Sequence, residues 1–291
     1  MELIDLKTII ISGLSLGSMY APMATGLSIV WGTLRVFNFA HGSLMMLGAY
    51  IGWTVCHSRG LGWGISAGIV AAIVALFAVG IAIYRLLVKP YMDRINLVLI
   101  VVITTLAGSI LFENSAHLLW GPRMKRFPRL IRGKLEFFGI NISAQEAIII
   151  LLAPVLLVLL AMFLKKTRLG MAVRGVEQNR EASLLIGVNV EWIYAFTFGI
   201  SAALAAIAGV VLGSVRFITP TMGAEPLMRA FIVVILGGLG SLYGTMAAAY
   251  IVGLLEAASM LYLGLYGTPP ILFLTMVLVL TFKPTGLFGV E

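Results

Sequence analysis

Residues 13–50 read GLSLGSMYAPMATGLSIVWGTLRVFNFAHGSLMMLGAY, and Arg35 is their only Asp, Glu, Lys or Arg. A helix of roughly 20 residues crosses about 30 Å of hydrocarbon. Two apolar runs near that length, 9–31 and 36–56, share this stretch, so it predicts two adjoining membrane helices rather than a soluble core. Asn38, His41 and Gly42 sit near the start of the second. If that helix begins only after Gly42, about 15 residues rise roughly 22 Å, short of a full crossing. A shortened or broken helix exposes unpaired backbone groups to a buried polar path. Asn38 and His41 therefore have three readings: caps at an interface, a turn at the inner gate, or direct contacts to a substrate.

Working outward, further apolar runs fall at 62–84, 95–119, 144–164, 190–215, 227–262 and 268–282. The expectation is an all-α polytopic membrane protein, one transmembrane domain over 1–291 with about eight helices. The seventh run is overlong and is interrupted by Gly237, Gly238, Gly240 and Gly244, which predicts a half helix, a break and a second helix. That makes the count eight or nine. Pro22 and Pro154 fall inside spans and are expected to bend them, whereas Pro269 and Pro270 open the last one.

Composition agrees with this reading. With 60% hydrophobic and 11% charged residues and a mean hydropathy of +1.06, the chain cannot cover a water-soluble surface, which excludes a cytoplasmic enzyme. The net charge of +8 is spread in short clusters between apolar runs, facing lipid headgroups and partner proteins rather than nucleic acid. Cys56 is the single cysteine, and the three histidines have no ligand-spaced neighbours, so neither an internal disulfide nor a metal site is expected. Glu2 and Asp5 before the first run reverse the basic pattern of a cleavable signal, so that run reads as a retained span.

Orientation follows from the basic residues of short loops. Placing 165–189 on the cytoplasmic side puts Arg35, Arg85, Lys89 and Arg94 there with its own five basic residues, and puts the N-terminus outside. An eight-span count then leaves the C-terminus outside. Arg123, Lys125, Arg126, Arg129, Arg132 and Lys134, with Lys7, Arg59 and Arg216, face outward, so nine basic residues stand on each side. The outward cluster reads as an amphipathic stretch on headgroups or as a docking surface.

The segment 165–189, KKTRLGMAVRGVEQNREASLLIGVN, mixes small, charged and apolar residues at helical spacing from Met171 to Ile186. It predicts a short amphipathic helix ending at Gly187, where glycine adopts a left-handed cap. Such a helix outside the bilayer rests on lipid or on a cytoplasmic subunit that moves the membrane part. Within or near the spans lie Thr104, Thr105, Ser109, Glu113, Asn114, Glu225, Arg229 and Glu256. A charge in hydrocarbon costs about 3 kcal/mol on insertion scales. These residues should therefore face the bundle interior, a partner or the headgroups, with Glu225 and Arg229 spaced for an i,i+4 pair. Thr104, Thr105 and Asn114 are candidate path-lining residues alongside Asn38 and His41, and Glu225, Arg229 and Glu256 are candidates for contact with a second membrane subunit. The chain has no G-x-x-x-x-G-K-[ST] loop and no run of intramembrane carboxylates or histidines for a proton relay. Energy for pumping must then enter through another chain. A carrier working without an ATPase would need an ion site that the spans do not display, and a membrane enzyme would need a convergent nucleophile and base.

Several blocks carry a resemblance: the 13–50 stretch with its NFAHG, EASLLIG at 181–187, FGISAALAAIAGVVLG at 198–213, VILGGLGSLYG at 234–244 and KPTGLFG at 283–289. The chain resembles the permease subunits of branched-chain amino acid ABC importers, of the Liv-family "H" type, from about residue 10 to Gly289. The resemblance implies a multi-pass protein of the bacterial inner membrane that pairs with a homologous permease, sits on two cytoplasmic ATPases that bind the ATP, and receives substrate from a periplasmic binding protein. It implies no cofactor in this chain. By that likeness 171–187 is the coupling helix, with Arg174 and Glu177 on it and Glu181, Ala182 and Gly187 matching the EAA-type pattern, while Ser183 takes the third position. Substrates of the family are Leu, Ile and Val, and close relatives carry urea, short amides or other small organic solutes.

Overall fold

The computed structural model describes residues 2–57, 60–128, 131, 133–137 and 140–289. The helices are α1 (Glu2–Leu34), α2 (His41–Cys56), α3 (Ile65–Ile83), α4 (Leu97–Trp120), α5 (Ala144–Lys166), α6 (Arg168–Gln178), α7 (Arg180–Leu185), α8 (Val190–Val215), α9 (Ala224–Gly237) and α10 (Leu242–Phe282). A small hairpin, β1 (Lys134–Phe137) with β2 (Ile140–Ser143), leads into α5. The expected all-α membrane architecture holds. Five helical segments, beginning at Ile65, Leu97, Ala144, Val190 and Leu242, are each long and apolar enough to cross a bilayer.

Helix α8 is central: 72% of its most apolar stretch is buried, against 17% for α4. It packs on α1, α2 and α3, with α9 and α10 closing the other side of α1. Small residues allow the approach. A Cβ added to Gly209 would fall on the backbone of Met45, and one on Gly48 would lie 2.5 Å from the Ala206 Cα. In lipid such backbone proximity is what holds helices together, because burial from water contributes nothing between them.

The seventh run divides as expected, into α9 and the start of α10, with 238–241 as the break. α10 is 41 residues long, and a straight helix of that length would extend about 61 Å, twice the hydrocarbon thickness. Gly264 leaves helical geometry at φ 72° and ψ −177°, and Phe288 packs against Gly244, where an added Cβ would lie 2.7 Å from the Phe288 Cβ. Six residues beyond Phe282 span at most about 21 Å. The chain therefore reverses at Gly264, and α10 is two antiparallel passages. Eight apolar runs thus become nine helical passages among the described residues: α1 to α5, α8, α9 and the two halves of α10.

This corrects one expectation. The eight-span count placed the C-terminus outside, but the 283–289 tail lies at the same end of the bundle as α6 and α7, where the Leu287 N–H donates to the Leu236 carbonyl at 2.7 Å. The cause is the extra passage opened by the glycine break. Lys283 consequently joins the basic residues assigned to that end. Pro22 and Pro154 remain inside continuous helices, so neither ends a span.

Candidate functional site

At the α6–α7 end, the expected single helix over 171–187 is two. Asn179 is extended at φ −154° and ψ 106°, and its Oδ1 accepts from the Ala182 N–H at 2.9 Å, so it ends α6 and caps α7. Asparagine competes with helix through such side-chain bonds, which is why the continuous pattern breaks there. Gly187, at φ 85°, terminates α7 in the left-handed conformation as expected. Glu181, Ala182 and Gly187 are exposed, and Leu185 and Ile186 beside them are 88% and 80% exposed. Ser183 is buried, its hydroxyl donating to the Asn179 carbonyl, so the third position of the EAA-type pattern faces inward.

Arg174 and Glu177 face the membrane part instead. Arg174 donates to the Leu164 and Lys165 carbonyls at 3.1 and 3.2 Å, satisfying the otherwise open end of α5. Glu177 lies against Gly32 of α1 and Gly240 of the 238–241 break, where added Cβ atoms would come within 2.5 and 3.6 Å of its Oε1. Burial raises its carboxyl above the ordinary 4.5, while Arg35 and Arg174 act to lower it. Gly238 and Gly240, at φ 97° and 86°, take the turn only glycine adopts freely, and the 283–289 tail fits over it. Gly237 is helical but touches Thr245 so closely that an added Cβ would lie 2.7 Å from its backbone. The LGGLGS and KPTGLFG blocks, remote in sequence, form one structure with the α6–α7 end. A cavity of about 570 Å³, lined by Tyr84, Lys89, Arg180 and Glu191 among others, opens at the same end.

The Asn38–Gly42 turn lies within the bundle. α2 begins at His41, and its 16 residues rise about 24 Å. Asn38 Oδ1 accepts from the Ala40 N–H at 3.1 Å, and Thr105 Oγ1 of α4 accepts from the Phe39 N–H at 3.1 Å. His41 is fully buried, its Nε2 3.0 Å from the Met23 carbonyl and its Nδ1 3.3 Å from Ser201 Oγ. Gly42 abuts Gly223, the residue before α9; a Cβ on Gly42 would lie 2.5 Å from the Gly223 oxygen. Thr104 is near but separate, donating at 2.9 Å to the Leu87 carbonyl in the single π-helical turn after α3. Asn114 is not part of this group: it is exposed on α4 and donates to Ile110. Sequence reading missed Ser201 and Met23, because their link to His41 exists only when α1, α2 and α8 are packed.

A chain of charges runs along α9. Arg229 pairs with Glu256 of α10 at 2.8 Å and with Glu225 at 2.6 Å, and Glu225 reaches Arg216 at 3.6 Å. Glu256 is 1% exposed and Arg229 7%, so the i,i+4 pair extends into a buried link between two helices. The Arg229 guanidinium lies 6.0 Å from the Tyr20 ring centre. Tyr20 was not singled out from sequence, and Arg216 was read there only as one of the outward basic residues.

At the opposite end, part of the basic loop is tied down. Lys125 exchanges backbone hydrogen bonds with Ile218 at 3.1 and 2.7 Å, and Phe127 donates to the Gly213 carbonyl at 3.0 Å. The Lys125 ammonium donates to the Trp120 carbonyl and lies 5.1 Å from the Trp53 ring. Arg123 and Arg126 are exposed, and the Arg126 guanidinium lies 5.7 Å from the Phe217 ring centre. Arg59, Arg129 and Arg132 lie outside the described residues.

Residues 9–282 match the family described as "Branched-chain amino acid transport system / permease component". The chain is 34% identical to the high-affinity branched-chain amino acid transport system permease protein LivH of Escherichia coli, over 96% of this chain and 94% of that protein. It is 33% identical to the corresponding protein BraD of Pseudomonas aeruginosa, again over 96% and 94%. To a probable branched-chain amino acid transport permease protein of Methanocaldococcus jannaschii it is 28% identical, over 98% and 93%. No solved structure matches.

Proposed function

The chain belongs to the permease component family of branched-chain amino acid transport systems, and from that premise we propose how it works. It is the inner-membrane permease subunit of an ABC importer, and it carries branched-chain or similar small amino acids inward. Energy comes from two cytoplasmic ATPases, which bind the ATP, and substrate comes from a periplasmic binding protein. A homologous permease completes the membrane pathway.

The observation that carries the ATPase assignment is the apolar tip of α7. Leu185 and Ile186 are 88% and 80% exposed beyond the membrane helices, next to exposed Glu181, Ala182 and Gly187. Apolar side chains so exposed outside lipid mark a surface that another protein covers. Arg174 and Glu177 brace that tip against α5, α1 and the glycine break, so ATPase closure is passed to α9 and α10. Asn38, His41 and Thr105 form the pivot on which the inner gate turns, with Gly42, Gly237, Gly238 and Gly240 as its helix breaks and Thr104 holding α4 to the end of α3. Asn114 stands apart, on the exposed side of α4. Glu225 and the Arg229–Glu256 pair hold the α9 face toward the second permease. Arg123 and Arg126 present cations to an acidic face of the binding protein.

Affinity purification from the native membrane, followed by leucine uptake in liposomes, tests this reading. The expected result is co-purification of a second permease and two ATPases, and ATP-dependent uptake of Leu, Ile or Val. Replacing Glu181 by Lys or Gly187 by Val should uncouple or detach the ATPases while the membrane part stays folded. Uptake of urea or amides instead would reassign the substrate, uptake by this chain alone would remove the ATPases, and full coupled hydrolysis in the α7 variants would remove the coupling role.

A further inference from the structure

Where α3 ends, a groove opens beside an unpaired cation. Helix α3 has 19 residues and rises about 28 Å, close to the roughly 30 Å of a hydrocarbon core, so Arg85, two residues beyond its last residue Ile83, stands at the membrane boundary. Charges mark the same level on two neighbouring helices: Lys165 and Lys166 close α5, and Glu191 lies in the first turn of α8. A cavity of about 370 Å³ lies there, walled by Phe77, Ile81, Leu169, Trp192 and Phe196, with Arg85 as its one charged lining residue. Phe77 is eight residues before Arg85, about 12 Å along the helix, so the groove runs from headgroup level into the hydrocarbon.

The aromatic walls hold one another. Trp192 stacks on Phe196 with ring centres 5.0 Å apart, and Phe77 of α3 meets the same ring edge-on at 5.8 Å. A second cavity, of about 410 Å³, adjoins along α3 against Ala78, Ala82 and Leu86 and shares Ile81 and Arg85 with the first. The Arg85 side chain has no ion pair among the described residues. Glu191 shares a small cleft with it but is held by Lys89 at 2.7 Å. Phosphate alone would satisfy Arg85 and leave the groove empty, whereas an apolar helix would fill the groove and leave the cation without an anion. A phospholipid does both, because a basic pocket between helices at a membrane face takes a phosphate headgroup while the acyl chains cover the apolar surface below it.

We propose that this groove binds an anionic phospholipid of the leaflet at the α6–α7 end. The phosphate takes Arg85, one acyl chain lies along Phe77 and Phe196, and the other follows Ala78 and Ala82 across Ile81. Because Leu169 belongs to the first turn of α6, the lipid ties that helix to α3 and α8 at the base of the α6–α7 segment. The site follows from the membrane fold and is independent of which solute the permease carries.

The test uses the full chain, purified in mild detergent with the subunits that accompany it, and titrated with phosphatidylglycerol while native mass spectrometry counts bound lipid. Saturable binding above the background of loosely held lipid is expected. Phosphatidylcholine, whose choline brings a cation to Arg85, should bind at least about fivefold less tightly. Arg85→Gln should weaken phosphatidylglycerol binding about fivefold, the scale of one basic residue at a membrane surface, with Arg85→Lys nearer wild type. Ile81→Trp, which fills the groove and keeps the cation, should also lose the lipid; if that variant fails to assemble, the two Arg85 variants decide. Displacement of the lipid by equimolar glycerol 3-phosphate would reduce the site to an anion contact. A photo-crosslinker attached through Ile81→Cys, with Cys56→Ala to remove the other thiol, should capture lipid; capture of a protein subunit would give the groove to that partner. Either of those two results, or equal phosphatidylglycerol binding by wild type and Arg85→Gln, overturns the proposal.

Discussion

Helices α2 and α9 both start within the membrane and touch where Gly42 meets Gly223, but their openings are built from different chemistry. The α2 opening is uncharged and closed: His41 is fully buried between the Met23 carbonyl and Ser201, and Asn38 and Thr105 hold the preceding turn. The α9 opening is charged and half open, running from buried Glu256 through Arg229 and Glu225 to exposed Arg216. One fixes a helix and the other presents a surface. The difference teaches that polar residues in a membrane protein are not equivalent markers of a path. Charge and exposure separate the two cases: Asn38 and His41 are uncharged and buried, whereas Glu225 and Arg216 are charged and half exposed.

The sharpest way to break this comparison is at Arg229. Arg229→Leu leaves Glu256 buried without its cation and should cost about 3–5 kcal/mol of stability. Adding Glu256→Met should restore most of that loss, since removing both charges abolishes the uncompensated burial. Reversible unfolding in mixed micelles measures both, and a double variant no more stable than Arg229→Leu would show that the pair is not the reason for the loss. Next comes the contact that joins the two openings. A Cβ on Gly223 would lie 2.0 Å from the Gly42 carbonyl, so Gly223→Ala should destabilise by about 1–3 kcal/mol through overpacking. Because α2 and α9 share that contact, probes on both helices should report the loss together; loss confined to α9 would separate them.

His41 gives a smaller effect. His41→Leu leaves the Met23 carbonyl and the Ser201 hydroxyl without that partner, for about 1–2 kcal/mol. On the pivot role proposed for His41, the change should lower the amount of folded transporter and leave the KM for uptake unchanged. A raised KM at normal folded yield would make the α2 opening part of the binding path after all.

These sites also mark what could be read from sequence. Membrane runs, the glycine break at 237–240 and the Gly187 cap were legible because each depends on local chemistry: hydropathy over one span, or a backbone conformation that only glycine takes freely. The 165–189 segment was legible as an amphipathic helical stretch. Its division at Asn179 was not, since a capping asparagine and a mid-helix asparagine look alike until the chain turns. The i,i+4 pairing of Glu225 with Arg229 followed from helical spacing. Their extension to Glu256 and Arg216 needed α9, α10 and the end of α8 to be packed. The reversal near Gly264 was legible as the gap between the 227–262 and 268–282 runs, but the side of the tail was not: it depended on α9 reaching the α6–α7 end as a separate passage, where Leu287 bonds to Leu236 and Phe288 returns to Gly244, contacts that hydropathy does not encode.

The last prediction concerns the far end of α9. Glu177 lies against Gly240, so the α9 break is linked to α6, and burial raises its carboxyl above 4.5 while Arg35 and Arg174 oppose the shift. A carboxyl raised in the folded state contributes stability that is fully present below its unfolded value and is lost as pH climbs through the folded one. Wild type should therefore lose stability relative to Glu177→Gln, which cannot ionise, as pH rises above the ordinary carboxylate range. Amide exchange should place the change in the 236–241 stretch and spare 38–44, where no charged group governs the turn. Parallel pH curves for wild type and Glu177→Gln, or equal changes at both stretches, would mean that Glu177 does not load the α9 break. The contrast between the closed α2 opening and the half-open α9 opening would then rest on the outer charges alone.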